Sequence, residues 1–135
     1  MNAIWLIIGI FSTVVQVPAQ DKGALGDFTK SPTEGIIVEL TQPFVVGSVR
    51  GIITRDQDPE PLPDVLIEIR GPSSDKTIMR ATTDKYGRFK IRDVAEGTYR
   101  FKTTLNGFQS VMGTITVSKR ASKQKKIKIG MPLGV

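Results

Sequence analysis

The sequence contains neither cysteine nor histidine, and its single tryptophan is Trp5. Without cysteine the chain forms no disulfide and offers no thiolate to a metal. Without histidine it lacks the imidazole that a Ser-His-Asp triad, a Cys-His pair, an HExxH zinc site or a proton shuttle needs. Only carboxylate pairs or an activated lysine remain as catalysts. We therefore predict that the protein is not an enzyme, with no catalytic, cofactor-binding or metal-binding residues and no cofactor.

The N-terminus has the composition of an export signal. Residues 3–15 are almost wholly apolar, and no charged side chain precedes Asp21. This run is shorter than the roughly 20 residues that a bilayer-spanning helix needs. Val17-Pro18-Ala19 places suitable residues at the positions that a signal peptidase reads. The sequence therefore predicts a signal peptide over residues 1–19, although its n-region has no Lys or Arg, and a mature chain without a transmembrane span.

The remaining length is sufficient for one domain. Residues 20–35 are polar, contain Gly23, Gly26, Pro32 and Gly35, and predict a flexible linker. From Ile36 onward, short runs rich in β-branched and alternating apolar residues predict strands. These runs cover residues 36–40, 44–55, 65–69, 77–82, 88–92, 98–102, 111–117 and 125–129.

Turn signals separate these strands and no amphipathic helix interrupts them. Three prolines make residues 56–63 a loop, and Asp84-Lys85-Tyr86-Gly87, Val94–Gly97 and Asn106-Gly107 are predicted turns. Seven or eight short strands with turns about every 8 to 12 residues favour an antiparallel β-sandwich. We predict an all-β, seven-stranded antiparallel Greek-key β-sandwich over residues 36–133, preceded by the signal peptide and the short linker.

The order and spacing of several motifs resemble one family. The motifs are Gly51–Asp56, Pro61–Ile69, Thr83–Ile91, Val94–Tyr99 and Gly107-Phe108. Over residues 46–130 the chain resembles the carboxypeptidase regulatory-like domain, which belongs with the transthyretin-like (prealbumin-like) sandwiches. The resemblance implies a non-catalytic accessory module of the kind found beside peptidases, outer-membrane receptors and secreted surface proteins. It brings no set of site residues, and we predict no catalytic or barrel domain within these 135 residues.

The residues disfavour three specific kinds of site. Asp56, Asp58, Glu60 and Asp64 supply the oxygens that Ca²⁺ prefers, but the prolines stiffen their loop and favour a solvated loop instead. A sugar-stacking platform is disfavoured, because Phe89, Tyr99 and Phe101 fall on inward strand positions and only Tyr86 is free. The Lys–Asn cross-link of collagen-adhesin B-type repeats is also disfavoured, since Asn106 is the only asparagine after the signal peptide.

Charge is distributed unevenly along the chain. Residues 20–75 hold 5 basic and 10 acidic residues, whereas residues 76–135 hold 14 basic and 3 acidic residues. A basic face attracts anionic surfaces over about a Debye length, although lysines also protect an edge strand against aggregation. The residues predicted to form such a face are Lys119, Arg120, Lys123, Lys125, Lys126 and Lys128 near the C-terminus, together with Arg88, Lys90 and Arg92 in Thr83–Ile91 and directly after it.

Three functions follow from these observations. The first is an exported binding or structural accessory at the cell envelope, located in the periplasm, on the outer surface or in the medium. The second is an accessory subunit of a separately encoded peptidase or outer-membrane receptor. The third is a binder of anionic polysaccharide or lipid through the basic C-terminal face. The expected partner is another envelope protein or an anionic surface, and not nucleic acid, because no aromatic residue is interleaved with the lysines.

Overall fold

A computed structural model describes residues 14–18, 28–33, 35–71 and 78–134. These residues form ten β-strands. In chain order the strands are β1 (Val14–Pro18), β2 (Ile36–Leu40), β3 (Phe44–Val46), β4 (Val49–Arg55), β5 (Leu66–Arg70), β6 (Ile78–Thr82), β7 (Arg88–Ile91), β8 (Gly97–Thr104), β9 (Val111–Val117) and β10 (Ile127–Met131). None of the described residues form a helix with the length and hydrophobicity that crossing a bilayer requires.

The strands lie in two sheets that share one apolar core. The larger sheet has the order β1-β2-β9-β8-β5-β6, with β3 also paired to β9, and the smaller sheet has the order β10-β4-β7. Ile53 and Ile127 of the smaller sheet and Ile67, Phe101 and Ile115 of the larger sheet are all fully buried in the same cluster. The predicted all-β sandwich is therefore confirmed.

The strand count and directions differ from the prediction. The described chain has ten strands, and three of its pairings, β2 with β9, β3 with β9 and β4 with β10, are parallel. The run 44–55, predicted as one strand, divides at Gly47-Ser48, so that β3 joins the larger sheet and β4 the smaller. Side chains alternate between the two faces in the same way in parallel and antiparallel ladders. The sequence pattern therefore reveals neither the parallel pairings nor the division of residues 44–55.

The alternation of buried and exposed residues follows the prediction in the central strands. Val65, Ile67 and Ile69 are fully buried, and Phe89 is 5% exposed. Tyr99 is also buried, and its hydroxyl donates to the Ala95 carbonyl at 2.7 Å. Inward-facing aromatic rings therefore fill the core, as predicted, and are not a platform for sugars.

The predicted turn before β7 depends on a glycine. Gly87 has a φ of +74°, which side chains with a Cβ rarely adopt. Its carbonyl accepts the Ile53 N–H at 2.8 Å, and a Cβ at this position would lie 2.5 Å from the Ile53 carbonyl oxygen. The backbone of the turn therefore packs directly against β4, and a side chain at position 87 would clash with it.

Residues 28–33, here called the strap, lie against the larger sheet. Thr29 donates its N–H and its hydroxyl to the two carboxylate oxygens of Glu68, at 2.9 and 3.1 Å. Phe28 is 4% exposed and packs with Ile37 and Met112. This part of the predicted linker is therefore held in place, whereas residues 19–27 and 34 lie outside the described residues. The domain boundaries, including the predicted cleavage after Ala19, stay predictions.

Candidate functional site

Five basic side chains lie together on the outer face of the smaller sheet. Val49, Gly51 and Ile53 of β4 point into the core, so the residues between them point outward. The same alternation turns the basic residues of β7 and β10 away from Phe89, Ile91, Ile127 and Ile129. The resulting surface, here called the basic face, consists of Arg50, Arg88, Lys90, Lys126 and Lys128.

Strand register fixes how these charges are arranged. Arg50 lies directly opposite Lys90, and Ile52 lies opposite Arg88 on β7 and beside Lys128 on β10. Like charges placed directly opposite each other destabilise a sheet slightly. The basic side chains line a depression of about 470 Å³ whose floor includes Ile52, and none of its described lining residues is acidic. The depression is therefore a concave, positively charged surface open to solvent.

Most of these charges form no ion pair within the part of the chain that the structure describes. Arg88 pairs with Asp84 at 3.1 Å. Among the described residues, Arg50, Lys90, Lys126 and Lys128 form no ion pair. Because neighbouring cations repel one another, a multivalent anion that binds here removes an unfavourable interaction as well as making favourable ones.

The positive surface continues beyond the depression toward the bend between β3 and β4. There Gly47 donates its N–H to the Ser122 carbonyl at 3.1 Å, and the Ser48 hydroxyl donates to the Lys123 carbonyl at 3.0 Å. These bonds hold the segment before β10 beside the bend. A second depression of about 370 Å³ brings Lys123 together with Lys90 and Arg92, but it also includes Asp93.

The structure brings together some of the predicted basic residues and separates others. Lys126 and Lys128 join Arg88 and Lys90, as the charge pattern predicts, whereas Lys119, Arg120 and Lys125 line neither depression. Arg50 was missed, because it belongs to the half of the chain with a net negative charge. Its position between the buried residues Val49 and Gly51 is the signal that marks it as an outward cation.

Tyr86 stands at the edge of this surface. Its side chain is 51% exposed, and the cationic groups of Lys85 and Arg88 lie 5.1 and 4.7 Å from its ring centroid. Both distances are within the range of cation–π attraction. The exposed tyrosine therefore extends the positive surface and is not a bare stacking face.

Asp84 organises the turn beneath Arg88. The backbone N–H of Arg88 donates to its carboxylate at 2.9 Å, as does the N–H of Tyr86, and the Arg88 guanidinium lies 3.1 Å away. Together these donors, the Arg88 N–H most strongly, lower the pKa of the Asp84 carboxyl below its ordinary value of 3.8. The carboxylate thereby orients Arg88, at the cost of partly neutralising it.

We expect Asp84→Asn to destabilise the protein at neutral pH and to lose this effect in acid. A lowered pKa in the folded state means that ionisation of Asp84 stabilises the fold above its unfolded value of 3.8 and that this contribution disappears as the pH falls through the folded value. Urea unfolding of both proteins at about pH 7 and about pH 2.5 measures the difference. A difference in stability that is the same at both pH values would contradict the assignment.

A second group of charged side chains is buried in the larger sheet. Glu68 and Lys102 are fully buried and lie opposite each other on β5 and β8. Glu68 accepts the Arg80 Nε–H at 2.8 Å in addition to the two Thr29 donors, and the Lys102 ammonium donates to the Thr29 carbonyl at 2.6 Å. The strap thus covers these groups and hydrogen-bonds to both, so the cluster presents no opening to a ligand among the described residues. We call it the buried ionic cluster.

The acidic loop pairs part of its charge with Arg55. Arg55 lies 3.5 Å from Asp58 and 3.8 Å from Glu60. Asp64 has a left-handed conformation with a φ of +64°, and its N–H donates to the Thr83 carbonyl at 3.1 Å. Within the described ranges no three acidic side chains come close enough together to share a metal ion.

Comparison with known proteins gives one family. Comparison with curated proteins found no match for the chain. The family model of the carboxypeptidase regulatory-like domain matches residues 48–130, from the start of β4 into β10. The matched segment contains the whole smaller sheet apart from Met131, and with it the basic face. The chain belongs to the carboxypeptidase regulatory-like domain family, whose members are β-sandwich modules that are often non-catalytic.

Proposed function

We propose that this protein is a non-catalytic, exported accessory module that binds an anionic polymer at the cell envelope through its basic face. The observation that carries the proposal is the convergence of five basic side chains on one depression that has no acidic side chain among its described lining residues. Family membership supports the non-catalytic role. The predicted signal peptide over residues 1–19 supports export.

The shape of the surface favours a chain-like ligand over a membrane. The cations line a depression, and Ile52 at its floor is only partly exposed, so no apolar side chain projects from the centre of the face. A linear polymer places successive sulfate, phosphate or carboxylate groups along such a depression. Peripheral membrane binding combines charge with an apolar surface that enters the lipid, and this face lacks one.

A second function has a specific observation in its favour. The family to which the chain belongs is named for domains associated with carboxypeptidases. An accessory subunit of a separately encoded peptidase or receptor would use the same module without any chemistry of its own. Such a subunit would bind a folded protein, and its affinity would depend less steeply on salt than binding to a polyanion.

Binding to dextran sulfate, with uncharged dextran as the control, tests the first function. If four basic residues each displace a counterion, affinity should fall about 600- to 4,000-fold between about 50 and 500 mM NaCl. Isothermal titration calorimetry at several salt concentrations measures the slope. Equal binding to dextran, or no binding to dextran sulfate at low salt, would refute the proposal. Tighter binding to anionic vesicles than to dextran sulfate would replace the polymer with a lipid surface.

A further inference from the structure

The edge of the larger sheet has a feature that the basic face does not explain. β2 pairs with β9 on one side and with β1 on the other, where Val14–Pro18 run antiparallel to Ile36–Leu40 over the full length of both strands. β1 ends one residue before Ala19, the last residue of the predicted signal peptide. Removal of the signal peptide would therefore remove β1 and leave β2 as an edge strand.

The hydrogen-bond directions of β2 show what that edge would offer. The Val38 N–H donates to the Ser110 carbonyl at 2.9 Å, so Val38 is directed toward β9. Because successive residues of a strand face opposite sides, the N–H and C=O groups of Ile37 and Glu39 are directed toward β1. Their register partners are Val17 and Val15. Loss of β1 would leave two donors and two acceptors unpaired on an exposed edge.

The sequence of β1 suits this pairing. Pro18 has no backbone N–H, and in the observed register it lies opposite Ile36, at a position directed away from β2. The proline therefore removes no hydrogen bond from the ladder. The other four residues of β1 are three valines and a glutamine, and valine favours extended backbone. An uncharged, β-branched strand is thus the occupant that the structure places on this edge.

The rest of the sheet does not depend on β1 for its anchoring. The strap reaches Glu68 and Lys102 on β5 and β8 through Thr29, and Phe28 packs against Ile37 of β2 and Met112 of β9 on the same face of the sheet. These contacts belong to residues after the predicted cleavage site. The edge of β2 would therefore remain ordered in the processed chain.

We propose that in the exported protein the edge of β2 is a docking site for an uncharged, extended strand of a partner protein, which adds antiparallel in the place of β1. This inference rests on the proposed export. Strand addition of this kind gains affinity from main-chain hydrogen bonds and selectivity from alternate side chains. A second copy of β2 suits the edge less well, because it would bring a second carboxylate, Glu39, to the same ladder. The site lies on the sheet opposite the basic face, so the two surfaces do not compete.

The test uses the exported chain, with its N-terminus determined by mass spectrometry, and a synthetic peptide of residues 13–19 as the probe. We expect saturable binding and at least about a 10-fold slowing of amide exchange at Ile37 and Glu39. N-methylation of the peptide at Val15 or Val17 removes an amide directed toward β2 and should weaken binding at least about 10-fold. N-methylation at Gln16, whose amide is directed away, is the matched control and should change affinity by less than about 3-fold.

Each other result overturns the proposal in a distinguishable way. A processed chain that does not bind the peptide, or that binds all three N-methylated peptides equally, refutes docking at this edge and leaves export intact. A processed chain that dimerises with protection of Ile37 and Glu39 assigns the edge to a second copy. An exported chain that retains residues 14–18 keeps its own strand on the edge, and both the processing and the docking proposals then fail.

Discussion

Replacing Glu68 by alanine is expected to lower the free energy of unfolding by about 3–5 kcal/mol, the typical cost of breaking a buried charged interaction, because Glu68 is fully buried and pairs with Arg80 at 2.8 Å. The carboxylate accepts hydrogen bonds from Thr29 and Arg80 and lies opposite the fully buried Lys102. Its loss leaves the Thr29 donors without their acceptor and places the Lys102 ammonium in an apolar interior without the facing negative charge. Urea unfolding at neutral pH measures the change.

A double variant separates the charge from the packing. Glu68→Met combined with Lys102→Met fills similar volume without ions and should recover the part of the stability that Glu68→Ala loses through the buried Lys102 charge, since such replacements are often neutral or stabilising. The Thr29 donors stay without their acceptor in both variants. Arg80 is 52% exposed and can turn into solvent when its partner is removed. Glu60→Ala is the matched control, because Glu60 pairs with Arg55 at the exposed surface and its loss should cost about 1 kcal/mol or less. If Glu68→Ala is as stable as Glu60→Ala, the buried ionic cluster contributes nothing measurable to the free energy of unfolding.

Reversing two charges of the basic face is expected to weaken binding to dextran sulfate at least about 100-fold at about 50 mM NaCl and to lower the salt slope by about 2. Lys90→Glu and Lys128→Glu place carboxylates on opposite sides of the depression that Arg50 and Ile52 line. The fold should tolerate the change, because a glutamate at position 90 lies opposite Arg50 and converts a repulsive pair into an attractive one.

The control carries the same change in net charge at another place. Lys119→Glu combined with Arg120→Glu alters residues that are exposed and line neither depression. If the site is the basic face, this variant should lose less than about 5-fold in affinity, by the long-range effect of net charge alone. Equal losses of affinity in the two double variants would show that dextran sulfate binding depends on the overall charge of the protein and not on the basic face.

Local pattern predicts the strands of this protein well and their partners poorly. Residues 111–117 were predicted as a strand and form β9 with the same bounds, because alternation and flanking turns define a strand within its own sequence. Whether β9 pairs with β3 in parallel depends on contacts between segments more than sixty residues apart. Neither the split of residues 44–55 nor the parallel pairing of β10 leaves a signal in those segments themselves.

The buried ionic cluster could not be predicted for a related reason. Ile67, Glu68 and Ile69 alternate as in a strand with one solvated face, and that pattern places Glu68 in water. The strap covers this face from a distance of 39 residues along the chain, through a segment whose composition favours a linker. The basic face was partly predictable, since Lys126, Lys128, Arg88 and Lys90 alternate with core residues, but only the register of β4 adds Arg50 to them.

The strap also sets the size of the smallest unit that can fold on its own. The family match begins at Ser48, after β2, β3 and the strap. A fragment cut at that boundary would keep Glu68 and Lys102 but lose Thr29, which bonds to both, and would expose Met112 where Phe28 and Ile37 now cover it. We therefore expect the smallest fragment that folds on its own to begin upstream of the matched domain and to include Phe28. The boundary of the family match is not the boundary of the folding unit.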